Sequence, residues 1–342
     1  MSLNIIGIDL AKTIFHVCVC DHRGNIVGRH RFSASKLQAF LKAQARSIVA
    51  MEACGGAHHW ARTVREYGHE ARLISPQFVK PYVKSNKNDH NDAEAICEAA
   101  SRPTMRFVTV KTTEQQNIQA LHRTRELLIK HRTGLCNHAR GIIFEYGIII
   151  PQGRTHIINA LKELTSDDVN QLSPDLRALL QILNESLQAV HARIVALDEQ
   201  LKAIAQSDER CQRLQTIPGI GPMIATALVA SVGNAQQFPS GRQMSAWLGL
   251  VPRQFSTGGT PRLGKISKRG DGYLRKLFVH GARSSALRGK RPPVEQEDRV
   301  QRWQRCLLER LPTNKAVVAR ANKNARIAWA ILAHGCVYNA AN

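Results

Sequence analysis

Three short segments that read as strands, at positions 3–10, 14–20 and 26–32, open the chain almost without a break, the first of them an apolar run. Between the second and third stands Asp21-His22-Arg23-Gly24-Asn25, whose Gly and Asn tolerate the backbone that a hairpin loop needs. Runs this closely spaced leave no room for crossovers, so the chain is committed to an antiparallel meander at its start. Helix and strand signals then alternate, with a helix over 35–45, a strand over 47–53, a Gly55-Gly56 break, a helix over 58–67 and a strand over 71–75 stopped by Pro76. A helix over 92–101 puts Ala93, Ile96, Cys97 and Ala100 on one face, and 107–110 reads as a last short strand.

A meander followed by alternating helices and strands is the element order of a ribonuclease-H-like α/β fold. From about residue 112 the apolar period turns helical, so the sequence predicts an α/β domain over 1–111, a helical coiled-coil region over 112–205 and a mainly helical domain over 206–342. The helix over 114–146 carries Ile118, Leu121, Leu128 and Leu135, with many basic side chains on its other face. A second long helix starts near Ser173-Pro174, with Leu176, Leu180, Leu183, Leu187, Val190, Ile194, Leu197, Leu201 and Ile204 at alternating spacings of three and four. That seam predicts helix pairing that contributes to a dimer; a helix packed inside its own domain would show the same pattern. Further on, Ile217-Pro218-Gly219-Ile220-Gly221-Pro222 before a helical run is similar to a helix-hairpin-helix turn, whose backbone N–H groups receive a phosphate. Gly219 and Gly221 are its candidate contacts, and a plain interhelical turn is the alternative.

Charge narrows the partner. The 342 residues hold 48 Lys and Arg against 26 Asp and Glu, a formal net charge of +22. Neutralising phosphates releases condensed counterions, so such a chain is suited to nucleic acid. Positions 253–326 alone hold nineteen Lys or Arg against five Asp or Glu, a net of +14. Within them Arg253, Arg262, Lys265, Lys268, Arg269, Arg275 and Lys276 are candidate phosphate contacts. No apolar run approaches the roughly 20 residues of a bilayer span, and the N-terminus lacks a secretory pattern, so the expectation is a soluble, cytoplasmic protein. The eight cysteines are scattered; Cys18 and Cys20 share a strand face, which predicts reduced, mostly buried thiols.

Four acids stand where a metal site would need them. Asp9 and Glu52 each close an apolar run, and Asp89 and Asp92 lie three residues apart at the start of a helical pattern. An ionised carboxylate beside a core costs several kcal/mol unless paired or metal-bound. Cleavage of a phosphodiester by two divalent ions needs such carboxylates to converge, and Mg2+ prefers oxygen ligands. Taken singly, Asp92 reads equally as a helix cap and Asp89 as a solvated loop acid. Ser256 and Thr257, in Phe255-Ser256-Thr257-Gly258-Gly259-Thr260, could deliver a hydroxyl to a phosphate beside the basic residues, although Ser-Thr-Gly-Gly is commonly only a turn. His58 and His59 read as a surface helix start. Trp247, Trp303 and Trp329 read as core or interface.

Taken together, Gly-Ile-Asp-Leu-Ala-Lys at 7–12, Met-Glu-Ala-Cys-Gly at 51–55, Asn-Asp-His-Asn-Asp-Ala at 88–93, Ile-Pro-Gly-Ile-Gly at 217–221, Gly-Leu-Val-Pro-Arg-Gln at 249–254 and Gly-Lys-Ile-Ser-Lys-Arg-Gly-Asp at 264–271 closely resemble the DEDD transposases of bacterial insertion sequences. These are the bridge-RNA-guided recombinases that include relatives of pilin-gene invertases, and the resemblance spans nearly the whole chain. It implies a RuvC-like domain binding Mg2+, two ions, through Asp9, Glu52, Asp89 and Asp92. It also implies a coiled-coil middle used in dimer contacts and a transposase domain with a nucleophilic serine that forms a phosphoserine link to cleaved DNA. Donor and target DNA would be chosen by pairing with a noncoding bridge RNA, in a homodimer or homotetramer whose subunits share the site. Family members often carry serine directly before the first glycine of the loop; here Thr257 holds that place, so Ser256 is the expected nucleophile and Thr257 the fallback. Three rivals remain: a RuvC-like Holliday-junction resolvase that uses water, an actin-like sugar kinase or ATPase, and a non-catalytic RNA-binding scaffold.

Overall fold

The computed structural model of the protein describes residues 3–84, 89–166, 172–287 and 299–339, with backbone alone at 89, 90 and 287. The chain divides into two compact units, residues 1–112 and 113–342. The first holds a six-stranded sheet in the order β3-β2-β1-β4-β5-β6, made of β1 (Ile5–Asp9), β2 (Ile14–Cys20), β3 (Ile26–Ser33), β4 (Ile48–Glu52), β5 (Glu70–Ile74) and β6 (Phe107–Val108). β1, β2 and β3 form the expected antiparallel meander. β4 pairs parallel to β1, and β5 parallel to β4, through the helices α1 (Ala34–Ala43) and α2 (Ala57–Glu66). β6 is shorter than expected and runs antiparallel to β5.

Strand alternation sorts this sheet into two faces. Ile6 and Ile8 of β1 join Val49, Met51 and Leu73 in a core with Leu37 and Leu41 of α1 and Trp60, Ala61 and Val64 of α2. The other face carries Gly7, Ala50 and Ile74. After a four-residue helix α3 (Pro76–Val79), it is covered by α4 (Asp89–Ser101), whose Ala95, Ile96 and Ala99 pack on Ala50 and Ile74. Small residues let α4 sit close. A Cβ on Gly7 would lie 2.5 Å from the Ala93 carbonyl oxygen and 2.7 Å from Cys97 Sγ.

The second unit is helical apart from one hairpin. α5 (Thr113–Glu145) and α7 (Pro174–Ser207) are long enough to run about 50 Å each, with α6 (Arg154–Leu164) between them in sequence. Ser173 caps α7 by accepting from the Leu176 N–H, ahead of Pro174 at the first helical position. The heptad seam finds its partner within the chain. Leu176, Leu180, Leu183 and Leu187 pack with Cys136, Ala139 and Ile143 of α5 and with Ile157 and Leu161 of α6. Farther along, Leu201 meets Ile118 of α5 and Ala230 of α9 (Pro222–Val232). A dimer contact on α7 would therefore use a different face from the seam predicted for it, since α5 and α6 already cover these leucines. Val190 and Leu197 of the seam are only half buried.

Beyond α7 follow α8 (Glu209–Gln215), α9, α10 (Gly241–Trp247), the hairpin β7 (Pro252–Gln254) and β8 (Leu263–Ile266), α11 (Gly272–Leu287), α12 (Arg299–Arg310) and α13 (Thr313–His334). α9 is apolar on nearly every side and is buried accordingly, at the centre of a core with Leu214, Phe278, Val317 and Ile331. The middle and C-terminal regions, which the sequence divides at 205/206, form one compact unit. No helix is long and apolar enough to cross a membrane among the described residues.

Candidate functional site

In the first unit, Asp9 and Glu52 are the last residues of two neighbouring parallel strands. Ile8 pairs with Met51, so the two acids leave the sheet side by side. Asp9 shares the face of Gly7, and Glu52 that of Ala50, so both belong to the side that α4 covers. Helix direction completes the edge. Ala93 lies against Gly7, while the Cys97 thiol, one turn on, reaches the Cys18 carbonyl oxygen at 3.3 Å and that of Ile5 at 3.9 Å. α4 therefore runs antiparallel to β1, and its first turn, with Asp92 and the backbone of Asp89, sits at the edge where Asp9 and Glu52 emerge. The side chain of Asp89 lies outside the described residues. The same first turn directs the positive end of the helix dipole toward this edge, where negative charge is favoured.

Cys54 registers the charge of this edge. Its thiol is pushed up first by burial, and next by the negative charges of Glu52 and then Asp9. His58, outside the sequence-predicted set, stands with its Nδ1 3.2 Å from the Lys111 amide nitrogen and its Nε2 3.3 Å from Lys111 Nζ. The strand ends and the start of α4 share this edge, but among the described residues Asp9, Glu52 and Asp92 do not bring their carboxylate oxygens within 4.8 Å of one another as a ligand group; carboxylate is the donor type that a hard divalent ion takes. Elsewhere in this unit, Cys18 and Cys20 are joined by Cys97, the three thiols lying within 4.8 Å of one another and buried. All eight cysteines are free and five are buried, so the pair seen in the sequence is part of a core trio.

In the second unit, Ser256 and Thr257 occupy the tip of the β7–β8 hairpin. Thr257 and Thr260 face each other across Gly258 and Gly259, whose φ angles of 57° and 76° are those of a type I′ turn. Side chains at both turn positions would be strained, so the Gly-Gly pair is what lets the strands return this tightly. Residues 252–265 are exposed throughout. The Ser256 hydroxyl accepts from Gln254 Nε2 at 2.8 Å, which orients its oxygen within the tip.

The basic candidates divide. Arg253, Arg262, Lys265, Lys268 and Arg269 are exposed on the hairpin or just after it. Arg275 instead donates from Nη1 to the carbonyls of Leu248 and Arg269, both at 3.1 Å. Lys276 pairs with Glu126 at 2.5 Å. At the α8–α9 turn, Gly219 is pressed on α11: with φ +93°, its Cβ position would lie 2.7 Å from the Gly281 carbonyl oxygen. Asn324 donates to the Pro218 carbonyl at 3.0 Å. The turn is thus tied into the core on the Gly219 side, while Gly221, the N-cap of α9, is exposed.

Two features of this unit go beyond the sequence reading. Trp329, like Trp247, packs against the core as expected, and Trp303 and Trp329 both also line a groove of about 1530 Å³. His122 of α5 is buried between the Tyr273 hydroxyl and Thr226 Oγ1, each 3.0 Å away. Burial holds it well below the usual histidine value, at about 4, with the charge of Arg125 adding to the effect.

Comparison with known proteins covers most of the chain. Residues 6–148 match the DEDD family model of IS110 type, described as "Transposase", and residues 211–297 match "Transposase IS116/IS110/IS902 family". The chain is 49% identical over 339 residues to a "Probable family 20 transposase" of Pseudomonas aeruginosa, covering 99% of each protein. It is 44% identical over 331 residues to the "Transposase for insertion sequence element IS1111A" of Coxiella burnetii, covering 97% of this chain and 90% of the relative. A "Pilin gene-inverting protein" of Moraxella bovis is 22% identical over 280 residues, 75% of each.

Proposed function

Because the chain belongs to the IS110/IS116 family of DEDD insertion-sequence transposases, we propose that it cuts and rejoins DNA with Asp9, Glu52, Asp89 and Asp92 as ligands of two Mg2+ ions and Ser256 as the nucleophile. The observation that carries this reading is the shared edge, where Asp9 and Glu52 end adjacent parallel strands on the α4 face and α4 begins beside them. When bound there, the ions supply charge neutralisation to the phosphate undergoing transfer. Ser256 Oγ attacks phosphorus, the bond to the 3′-oxygen breaks, and the serine proton is transferred so that the strand leaves as a 3′-hydroxyl. A 3′-hydroxyl of the exchanged strand then attacks the phosphoserine and regenerates the Ser256 hydroxyl. Arg253, Arg262, Lys265, Lys268 and Arg269 hold the phosphate charge around the tip. Thr257 is the alternative nucleophile in the same tip.

In this reading the substrate is donor and target DNA, and a noncoding bridge RNA chooses both by base pairing. The protein acts as a homodimer or homotetramer in which one subunit's acids serve another's serine. An exposed hairpin tip supports a hydroxyl that works on a substrate presented from outside its own unit. The kinase alternative finds no support in the second unit, which is helical where that fold needs another α/β half. The resolvase alternative differs in its nucleophile. A cleavage assay with Mg2+, the element's ends and its adjacent noncoding RNA separates them. The proposal expects a protein–DNA adduct on denaturing gels, lost in Asp9→Ala and in Ser256→Ala. Cutting without an adduct that survives both Ser256→Ala and Thr257→Ala would make water the nucleophile.

A further inference from the structure

We propose that the groove bounded by α10, the roots of β7 and β8, α12 and α13 binds single-stranded DNA, with one base stacked on Trp303. The inference rests on the transposase reading and adds a site that the acids, the hydroxyl tip and the α8–α9 turn do not include. The groove is open, and its volume of about 1530 Å³ leaves room for a polymer segment. Its lining brings together six cations from three elements and one loop: Arg242, Lys265, Lys268, Lys315, Lys323 and Arg326. None of the described residues lining it is acidic. That one-sign lining selects a polyanion by charge complementarity.

The two tryptophans decide what kind. Trp303 and Lys323 both line the groove, and Lys323 Nζ sits 4.5 Å from the centroid of the Trp303 ring, so this indole already holds a cation against its face. Trp329 is fixed by donating its Nε1–H to the Phe238 carbonyl at 2.9 Å. Leu250, Val318 and Ile327 add apolar wall. A base can stack on an indole only when unpaired, and paired strands bring only phosphates, so the combination fits a single strand rather than a duplex. Lys323 then moves from the ring to a neighbouring phosphate. DNA is the strand intended here because Pro252, Gly264, Lys265 and Ile266 of the groove wall are the base of the same hairpin that presents Ser256 and Thr257. A strand attacked at the tip runs down the hairpin into the groove.

The test uses the full chain in EDTA, so that binding is read without cutting. Fluorescence anisotropy of a labelled oligo-dT of roughly 20 nucleotides is compared with a duplex of the same length and with oligo-rU. Trp303→Ala lowers oligo-dT affinity roughly tenfold or more, Trp303→Phe restores most of it, and duplex affinity stays near that of the wild type. Lys315→Ala lowers the slope of log affinity against log salt by about 0.7 for the single strand. An unchanged oligo-dT affinity in folded Trp303→Ala together with an unchanged salt slope in Lys315→Ala overturns the proposal. So does equal loss on duplex, or tighter binding of oligo-rU than oligo-dT, which would assign the groove to RNA. Failure of the cleavage reading shows elsewhere, as metal-dependent cutting that survives Asp9→Ala.

Discussion

Replacing Gly7 by alanine tests how the acids are positioned while touching none of them. The added Cβ would meet the Ala93 carbonyl oxygen at 2.5 Å, Cys97 Sγ at 2.7 Å and the Cys97 amide nitrogen at 3.0 Å. Two of these are backbone atoms of α4, so no side-chain rotation relieves the contact. Restoring ordinary van der Waals separation requires α4 to back away from β1 by roughly 0.7–1 Å. Overpacking of this kind costs about 1–3 kcal/mol. For a unit of this size that lowers the melting temperature by on the order of 10 °C, leaving a folded protein at room temperature. Asp9 stays with the strand and Asp92 goes with the helix, so their spacing changes by about the same distance. Misplacement of about 1 Å at reacting groups costs roughly 100-fold in rate. The expected result is Mg2+-dependent cleavage reduced about 100-fold in a protein with wild-type circular dichroism. Gly134→Ala is the control, because this helical glycine has no left-handed φ and nothing within 4 Å of the new methyl. Near-wild-type cleavage by Gly7→Ala, with the melting temperature lowered, would refute the claim that α4 sets the geometry of the edge.

Other perturbations probe the second unit. Gly258→Ala or Gly259→Ala forces a Cβ into the left-handed turn at the hairpin tip, costing about 1–2 kcal/mol locally; adduct formation should fall while the global melting temperature, read by calorimetry, hardly moves. Leu180→Ala removes a fully buried side chain from the α5–α6–α7 core, and chemical denaturation should show a loss of about 2–5 kcal/mol. His122, held neutral in the fold to about 4 against 6.5 for the free side chain, contributes fully above pH 6.5. Its contribution is lost as pH falls from there toward 4, because the unfolded chain takes up the proton first. The loss reaches roughly 3 kcal/mol, and urea unfolding against pH should be flatter over that window in His122→Gln.

Much of the first unit is legible from residue order because its signals are local. The loop at 21–25 specifies the hairpin, and an acid closing an apolar run is anomalous enough to be noticed without knowing what surrounds it. The approach of Cys97 to Cys18 and Cys20 is not local: it depends on a helix 79 residues away in sequence from Cys18 settling onto a glycine in the adjacent strand. The leucine seam of α7 illustrates a different limit. A heptad pattern states that a face is covered, and only the fold reveals that α5 and α6 cover it. Trp303 was illegible for a related reason, since its neighbours in sequence are helical and the groove it lines is built by α10 and α13. Arg275 and Lys276 looked like their basic neighbours, yet each is engaged with a carbonyl pair or a carboxylate that sequence alone does not bring near.

The placement of α4 also bears on when the chain can become active. Asp9 and Glu52 are made early, but the helix that finishes their edge begins at residue 89 and packs as far as Ser101. Domains fold as units as they emerge during synthesis. A ribosome that has released only the meander, β4 and β5 has therefore made a sheet with one bare face and half the acids. Fragments ending before residue 89 can neither bury Ala50 and Ile74 beneath α4 nor assemble the edge. If the acids act as proposed, premature termination or early proteolysis yields pieces without cutting capacity, and for an enzyme that breaks DNA the order of the elements along the chain is itself a safeguard.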